Sequence, residues 1–137
     1  MMHMKGTPQN MQENPQYDCI EEEVKDYFAK KIALLQQKGV KDIILDPGFG
    51  FGKTLEHNYQ LLNRLDYLHT LNLPILAGVS RKSMIYKAIE TDAQHALNGT
   101  TVIHTLCLQK GASILRAHDV KEAMECVKLI NFAKKNL

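Results

Sequence analysis

Three short apolar runs, each followed by a stretch of helical periodicity, constrain this chain more than any other feature. The runs "DIILDPG" (residues 42–48), "PILAGV" (74–79) and "SILRAH" (113–118) read as strands buried on both faces. Residues 18–38 read as a helix, with Ile20, Val24, Tyr27, Phe28, Ile32 and Leu35 along one face. Asp18 and Glu21 suit a capping box there, and Gly39 lies just past the end. A second helix is expected over about 55–71, carrying Leu61, Leu62, Leu65 and Leu68. After Ser80 a short helix reaches about residue 89, and a longer one over about 93–110 ends at Gly111. Asp119 with Glu122 caps a last helix whose stripe is Val120, Ala123, Met124, Val127 and Ile130.

A strand can rejoin its neighbour in parallel only through a crossover, so this alternation predicts the α/β class with parallel strands and flanking helices. With the opening "MMHM" counted as the tail of a further strand, four strand–helix units fit into 137 residues. A doubly wound sheet can have that count. A (β/α)8 TIM barrel needs eight units and about 250 residues, so these four would be its C-terminal half.

The composition, 45% hydrophobic with a net charge of +2, is that of a soluble globular domain and argues against a nucleic-acid partner. No apolar run approaches the ~20 residues of a membrane span, and residues 1–12 lack the order of a signal peptide. A cytoplasmic location is expected. Cys19, Cys107 and Cys126 are odd in number and match no metal-ligand spacing, so they read as reduced, idle thiols.

The stretch "LDPGFGFGKT" (45–54) resembles a phosphate loop until it is counted. A Walker A loop requires glycine where Pro47 stands, and a dinucleotide fingerprint requires glycine in place of Lys53. Phe49 and Phe51 are rings in a glycine-rich loop with little core to join, suited to covering a flat ligand.

In a parallel architecture the site forms where strands end. There stand Asp46, then Ser80, Arg81, Lys82 and Ser83, then Arg116 and His118. Asp46 either meets a planar group with two parallel N–H donors, an arginine fork or a 2-aminopyrimidinone, or caps its own turn. Ser80 is placed to cap a helix beginning at Arg81. With Lys82 and Ser83 this makes an anion or carbonyl pocket, unless it is only an exposed first turn. Arg116 and His118, two apart on a strand, share a face and suit a phosphate; alternatively His118 binds a nearby carbonyl. His57, His69, His95 and His104 fall on expected helices with no second metal ligand and read as structural.

The blocks "MHMKGTPQNMQ", "LDPGFGFGKT", "GVSRKSMI" and "LRAHDV", in this order and spacing, resemble the second half of the dihydropteroate synthase family. That family is a (β/α)8 barrel joining 6-hydroxymethyl-7,8-dihydropterin pyrophosphate to p-aminobenzoate in folate biosynthesis, and is the target of sulfonamides. The resemblance implies a transferase that releases pyrophosphate with Mg2+ present, and no protein-bound metal. It implies that Asp46 holds the amino-pyrimidinone edge of the pterin. Lys82 reaches the pterin carbonyl while lining the p-aminobenzoate slot, Ser83 takes the aminobenzoate carboxylate, and Phe51 packs on its ring. Arg116 and His118 hold the pyrophosphate.

Family chains are roughly double this length, and their first half brings further pterin contacts and two mobile loops. Residues 1–137 therefore read as one partial domain whose N-terminal half is absent, inactive alone, and associating as a homodimer or with the missing half. A pterin-binding methyltransferase barrel, or a non-catalytic half barrel serving assembly, are the alternative readings.

Overall fold

Four chain segments pair in parallel, in their sequence order, in the computed structural model of the protein. It describes every residue except Pro8, Gln12 and Leu137, so part of the opening motif lies outside the described residues. Met2 bridges Asp46, and Leu45 bridges Ile75. Strand β1 (Leu76–Ala77) pairs with β2 (Ile114–Leu115), Leu76 opposite Ile114 and Ala77 opposite Leu115. The Asp46 N–H donates to the Met1 carbonyl at 2.8 Å, and the Asp46 carbonyl accepts from His3 at 2.9 Å. On the other side Leu45 donates to Pro74 at 2.9 Å and accepts from Leu76 at 2.8 Å. Each neighbour in space is the next segment in sequence, with helices between, which is the layout of half a (β/α)8 barrel.

The helices are α1 (Ile20–Gln37), α2 (Leu55–Asn63), α3 (Ser83–Tyr86), α4 (Leu97–Gln109) and α5 (Val120–Lys135), with a 3-10 helix at Leu65–Leu71. Helix α1 buries Ile20, Val24 and Phe28. It ends where Gly39, at φ +82°, lets its own N–H reach Gln36 and that of Val40 reach Leu35, the paired bonds of a Schellman stop. Its start differs from expectation. The N-cap is Cys19, without a side-chain cap, and Asp18 forms no box with Glu21. Glu23 accepts from the Asp18 N–H at 2.8 Å instead, held there by the Lys5 ammonium at 2.9 Å.

The single helix expected over 55–71 is two. It breaks at Arg64 and tightens into the 3-10 turn, whose period of three brings Leu65 and Leu68 into register, both fully buried. A capping box opens α2, with an imidazole in the role usually played by a carboxylate. Thr54 accepts from the His57 N–H, and the His57 ring accepts from that of Thr54. Helix α4 begins four residues later than expected. The Asp92 carboxylate takes the N–H groups of Gln94 and His95 at 2.9 and 3.1 Å, and such local bonds compete with the helix.

Two patterns split. On α5, Ala123 and Cys126 are buried, while Val120 and Met124 are exposed. The exposed pair joins Ile114, Leu115 and Val127 in lining an apolar groove of about 500 Å³. In the central segment Ile43 and Leu45 are buried but Ile44 is 41% exposed. This segment is thus covered on one face only, and the expectation of two buried faces fails because the inward face of the four segments meets no opposite wall among the described residues. Strand alternation puts Asp46 on that same inward face. Leu45→Ala is expected to cost about 2–5 kcal/mol and Ile44→Ala under about 1 kcal/mol, read from urea unfolding of the two variants.

Candidate active site

Of the polar residues sorted from the strand ends, Asp46, Ser80, Lys82, Arg116 and His118 come together. Asp46 is nearly buried and its two oxygens serve different partners. Oδ1 accepts the Gly48 N–H at 2.9 Å, and Oδ2 lies 3.3 Å from a guanidinium nitrogen of Arg116. One oxygen thus caps the carboxylate's own turn, and the other faces the Arg116 charge through a single nitrogen.

Arg116 lies against Gly78, where a Cβ would come within 2.7 Å of its guanidinium and push the fork aside. Gly78, Ser80, Lys82, Arg116, Ala117 and His118 line a cleft of about 140 Å³. Lys82 bridges it to the glycine-rich loop: its ammonium donates to the Phe49 carbonyl at 2.5 Å and sits 4.7 Å from the centre of the Phe51 ring. Burial draws the Lys82 ammonium down to about 8, with Asp46 pushing it back up and Arg116 pushing it further down.

Ser80 does not cap a helix. The backbone turns at Arg81, which adopts φ +53°, and α3 starts only at Ser83 with Lys82 as its N-cap. The buried Ser80 hydroxyl accepts the His118 N–H at 3.1 Å and meets His118 Nδ1 at 3.0 Å. It fixes the imidazole, the role that a carbonyl was expected to fill. Arg81 leaves the cleft altogether. Its fork pairs with both oxygens of Asp119 at 2.8 and 2.9 Å and reaches the carbonyls of Ala93 and Gln94. Asp119 is thereby withdrawn from capping α5, and the loops bearing Lys82 and His118 are tied together. Ser83 is half-buried at the start of α3.

In the loop at 48–52, Phe49 is fully buried, so only Phe51 is left to face a ligand. The glycines serve backbone packing more than ligand access. A Cβ on Gly48 would stand 1.8 Å from the His3 carbonyl, and one on Gly52 2.4 Å from that of Lys5. Lys53 is buried, bonded to His3 Nδ1 and to the carbonyls of Gly48 and Phe51. Burial lowers it to about 7, Asp46 raising and Lys82 lowering it further. Once the phosphate-loop count fails, the sequence assigns Lys53 no role and carries no sign of this inward one.

The remaining histidines stand apart from the cleft: His57 caps α2, His95 pairs with Asp92 at 2.9 Å, His69 packs on Gly111, and His104 is buried in α4. Among the described residues no three His, Cys, Asp or Glu converge as a metal site, and no helix is long and apolar enough to cross a membrane. The three cysteines are free, and burial raises the Cys107 thiol to about 12.

A half barrel with a carboxylate, an ammonium and a guanidinium–imidazole pair gathered at its strand ends is one wall of a parallel α/β barrel protein. Residues 1–118 match the model of the pterin binding enzyme family, and the chain belongs to that family. It is 46% identical over 132 residues to the dihydropteroate synthase of Escherichia coli K12, covering 95% of this chain and 47% of that protein. The Yersinia pestis dihydropteroate synthase solved with a sulfonamide drug superimposes with a TM-score of 0.96 at 39% identity, over 99% of this chain and 50% of that one. The Thermus thermophilus enzyme in complex with 4-aminobenzoate gives a TM-score of 0.88 at 37% identity, over 93% and 53%. The same enzyme with 6HMPPP gives 0.89 at 37%, over 93% and 52%. The chain spans about half the length of these relatives.

The lowered proton affinity of Lys82 has a measurable sign. Its cation is present below about pH 8 and is lost above it. The Lys82 amine should titrate near pH 8, well below the usual lysine range, read from the pH dependence of its side-chain NMR shifts with Lys82→Met to assign the signal.

Proposed function

We propose that this chain forms the substrate-binding half of a dihydropteroate synthase, the transferase that condenses 6-hydroxymethyl-7,8-dihydropterin pyrophosphate with p-aminobenzoate in folate biosynthesis. The observation that carries this reading is the convergence of Asp46, Lys82, Arg116 and His118 on one mouth, with Phe51 beside Lys82. The relatives solved with 6HMPPP, with 4-aminobenzoate and with a sulfonamide support it, and they favour it over a methyltransferase barrel.

In this reading the amino-pyrimidinone edge of the pterin replaces Arg116 as the donor to Asp46 Oδ2. Arg116, released, lies along the pterin face, and its charge joins His118 at the pyrophosphate. Lys82 serves the pterin carbonyl side. Its stem and the Phe51 ring border the p-aminobenzoate slot, whose carboxylate Ser83 receives. The C–O bond to pyrophosphate breaks as its charge meets donors already in place, and the aromatic amine attacks the pterin-stabilised carbon. The Ser80 hydroxyl keeps the imidazole oriented throughout.

Mg2+ enters as a companion of the pyrophosphate. The described residues build no carboxylate cluster for it, and no step runs through it. Exposed Val102, Leu106, Leu129 and Phe132 on α4 and α5 offer an apolar face for pairing with a second copy.

Isothermal calorimetry with a dihydropterin, p-aminobenzoate and pyrophosphate tests the reading. Asp46→Asn should weaken pterin binding at least about tenfold, since a buried edge-on pair is worth roughly 1.5–3 kcal/mol. Lys82→Ala should lower turnover of the whole enzyme by about 100-fold while shifting unfolding by less than about 0.5 kcal/mol. Full turnover in Lys82→Ala, or pterin affinity indifferent to Asp46→Asn, would sink the assignment.

A further inference from the structure

We propose that Lys53 is a positioning residue for the aryl side of the site: its buried ammonium fixes the turn at residues 48–51 and, through it, the ring of Phe51. The identity of the aryl substrate rests on the synthase reading above; the hold on the turn does not. Lys53 is 4% exposed. Its nitrogen lies 2.9 Å from the Gly48 carbonyl, 3.1 Å from the Phe51 carbonyl and 3.0 Å from His3 Nδ1. As the ammonium, the form present below about pH 7, Lys53 has three hydrogens to donate, and these three acceptors use them all. In that state none is left for a phosphate or any other ligand.

The geometry also sets the state of His3. Facing an ammonium, Nδ1 must accept, so the imidazole is neutral with its proton on the other nitrogen. Burial first, then Lys53 and Lys5, hold His3 down to about 4, with Glu23 opposing. Tyr27 stands edge-on to the ring at 5.0 Å, so the acceptor is itself packed in place.

The turn is tied on its other sides as well. The Phe51 N–H donates to the Gly48 carbonyl at 3.0 Å, the Gly50 N–H to Asn58 Oδ1 at 2.7 Å, and the Tyr17 hydroxyl to the Gly52 carbonyl at 2.8 Å. Lys53 joins the first carbonyl of the turn to its last and both to the opening segment. Without it the half-buried Phe51 carbonyl loses this partner, and the residue bearing the ring is held by its N–H to Gly48 alone among these bonds. Phe51 in turn flanks the Lys82 ammonium, so Lys53 acts on ligands only through these two side chains.

The test combines amide hydrogen exchange and steady-state kinetics on the whole protein, comparing wild type with Lys53→Met and Lys53→Gln. In Lys53→Met the Phe51 amide should exchange at least about tenfold faster while α4 amides keep their rates. The KM for p-aminobenzoate should rise about tenfold, with pterin affinity and kcat within about threefold. Lys53→Gln, which keeps a donor, should fall between. A folded Lys53→Met with unchanged exchange and KM overturns the proposal, as does an equal loss of pterin affinity and kcat, which marks general damage. If Lys53→Met does not fold, Lys53→Gln and wild-type exchange decide: rapid Phe51 exchange in unliganded wild type overturns the proposal. Failure of both variants to fold also overturns it, because Lys53 would then support the sheet and not a ring. A complete enzyme, with both barrel halves present, that lacks p-aminobenzoate-dependent turnover would sink the synthase reading alone, leaving the exchange comparison to judge Lys53.

Discussion

Backbone pairing of residues 45 and 46 with a segment on either side is the constraint on which the rest depends. Hydrogen bonds to residues 1–3 on one flank and 74–76 on the other fix the depth at which Asp46 emerges. They also bring the ends of the remaining segments level with it. Because the pairing is parallel, every chain exit lies at one end, and the polar groups following each strand have nowhere to go but the same mouth. The ion pair of Asp46 with Arg116 follows from that geometry, as does the burial of Lys53 and Lys82, which lowers the proton affinity of both.

Much of this was legible in the chain. The change of period at Asp42 and again at Pro74 and Ser113 marks the strands, and the leucines of 61–68 and the Ile20, Val24, Phe28 stripe name the core. Sorting polar residues by strand end recovered Asp46, Lys82, Arg116 and His118 before any geometry, since topology alone dictates where those residues gather.

What the chain did not disclose were choices between partners far apart in sequence. Ser80 has the local pattern of a helix cap, yet its hydroxyl serves His118, 38 residues on. Asp119 has the pattern of a cap too, and is taken by Arg81 across the same interval. Phe49 is expected to face a ligand from its glycine-rich loop, yet it turns into the core, and Lys53 turns inward to His3 and to two carbonyls of its own loop. Local propensity describes what a residue can do with its neighbours; a distant partner that satisfies a buried group more completely overrides it.

The close approach of Gly48 and Gly52 to the carbonyls of His3 and Lys5 ties the floor of the site to the opening residues of the chain. A substitution that shifts the backbone of residues 3–5 would therefore be transmitted to the 48–52 loop, and through it to Phe51 and Lys82, nearly fifty positions or more away.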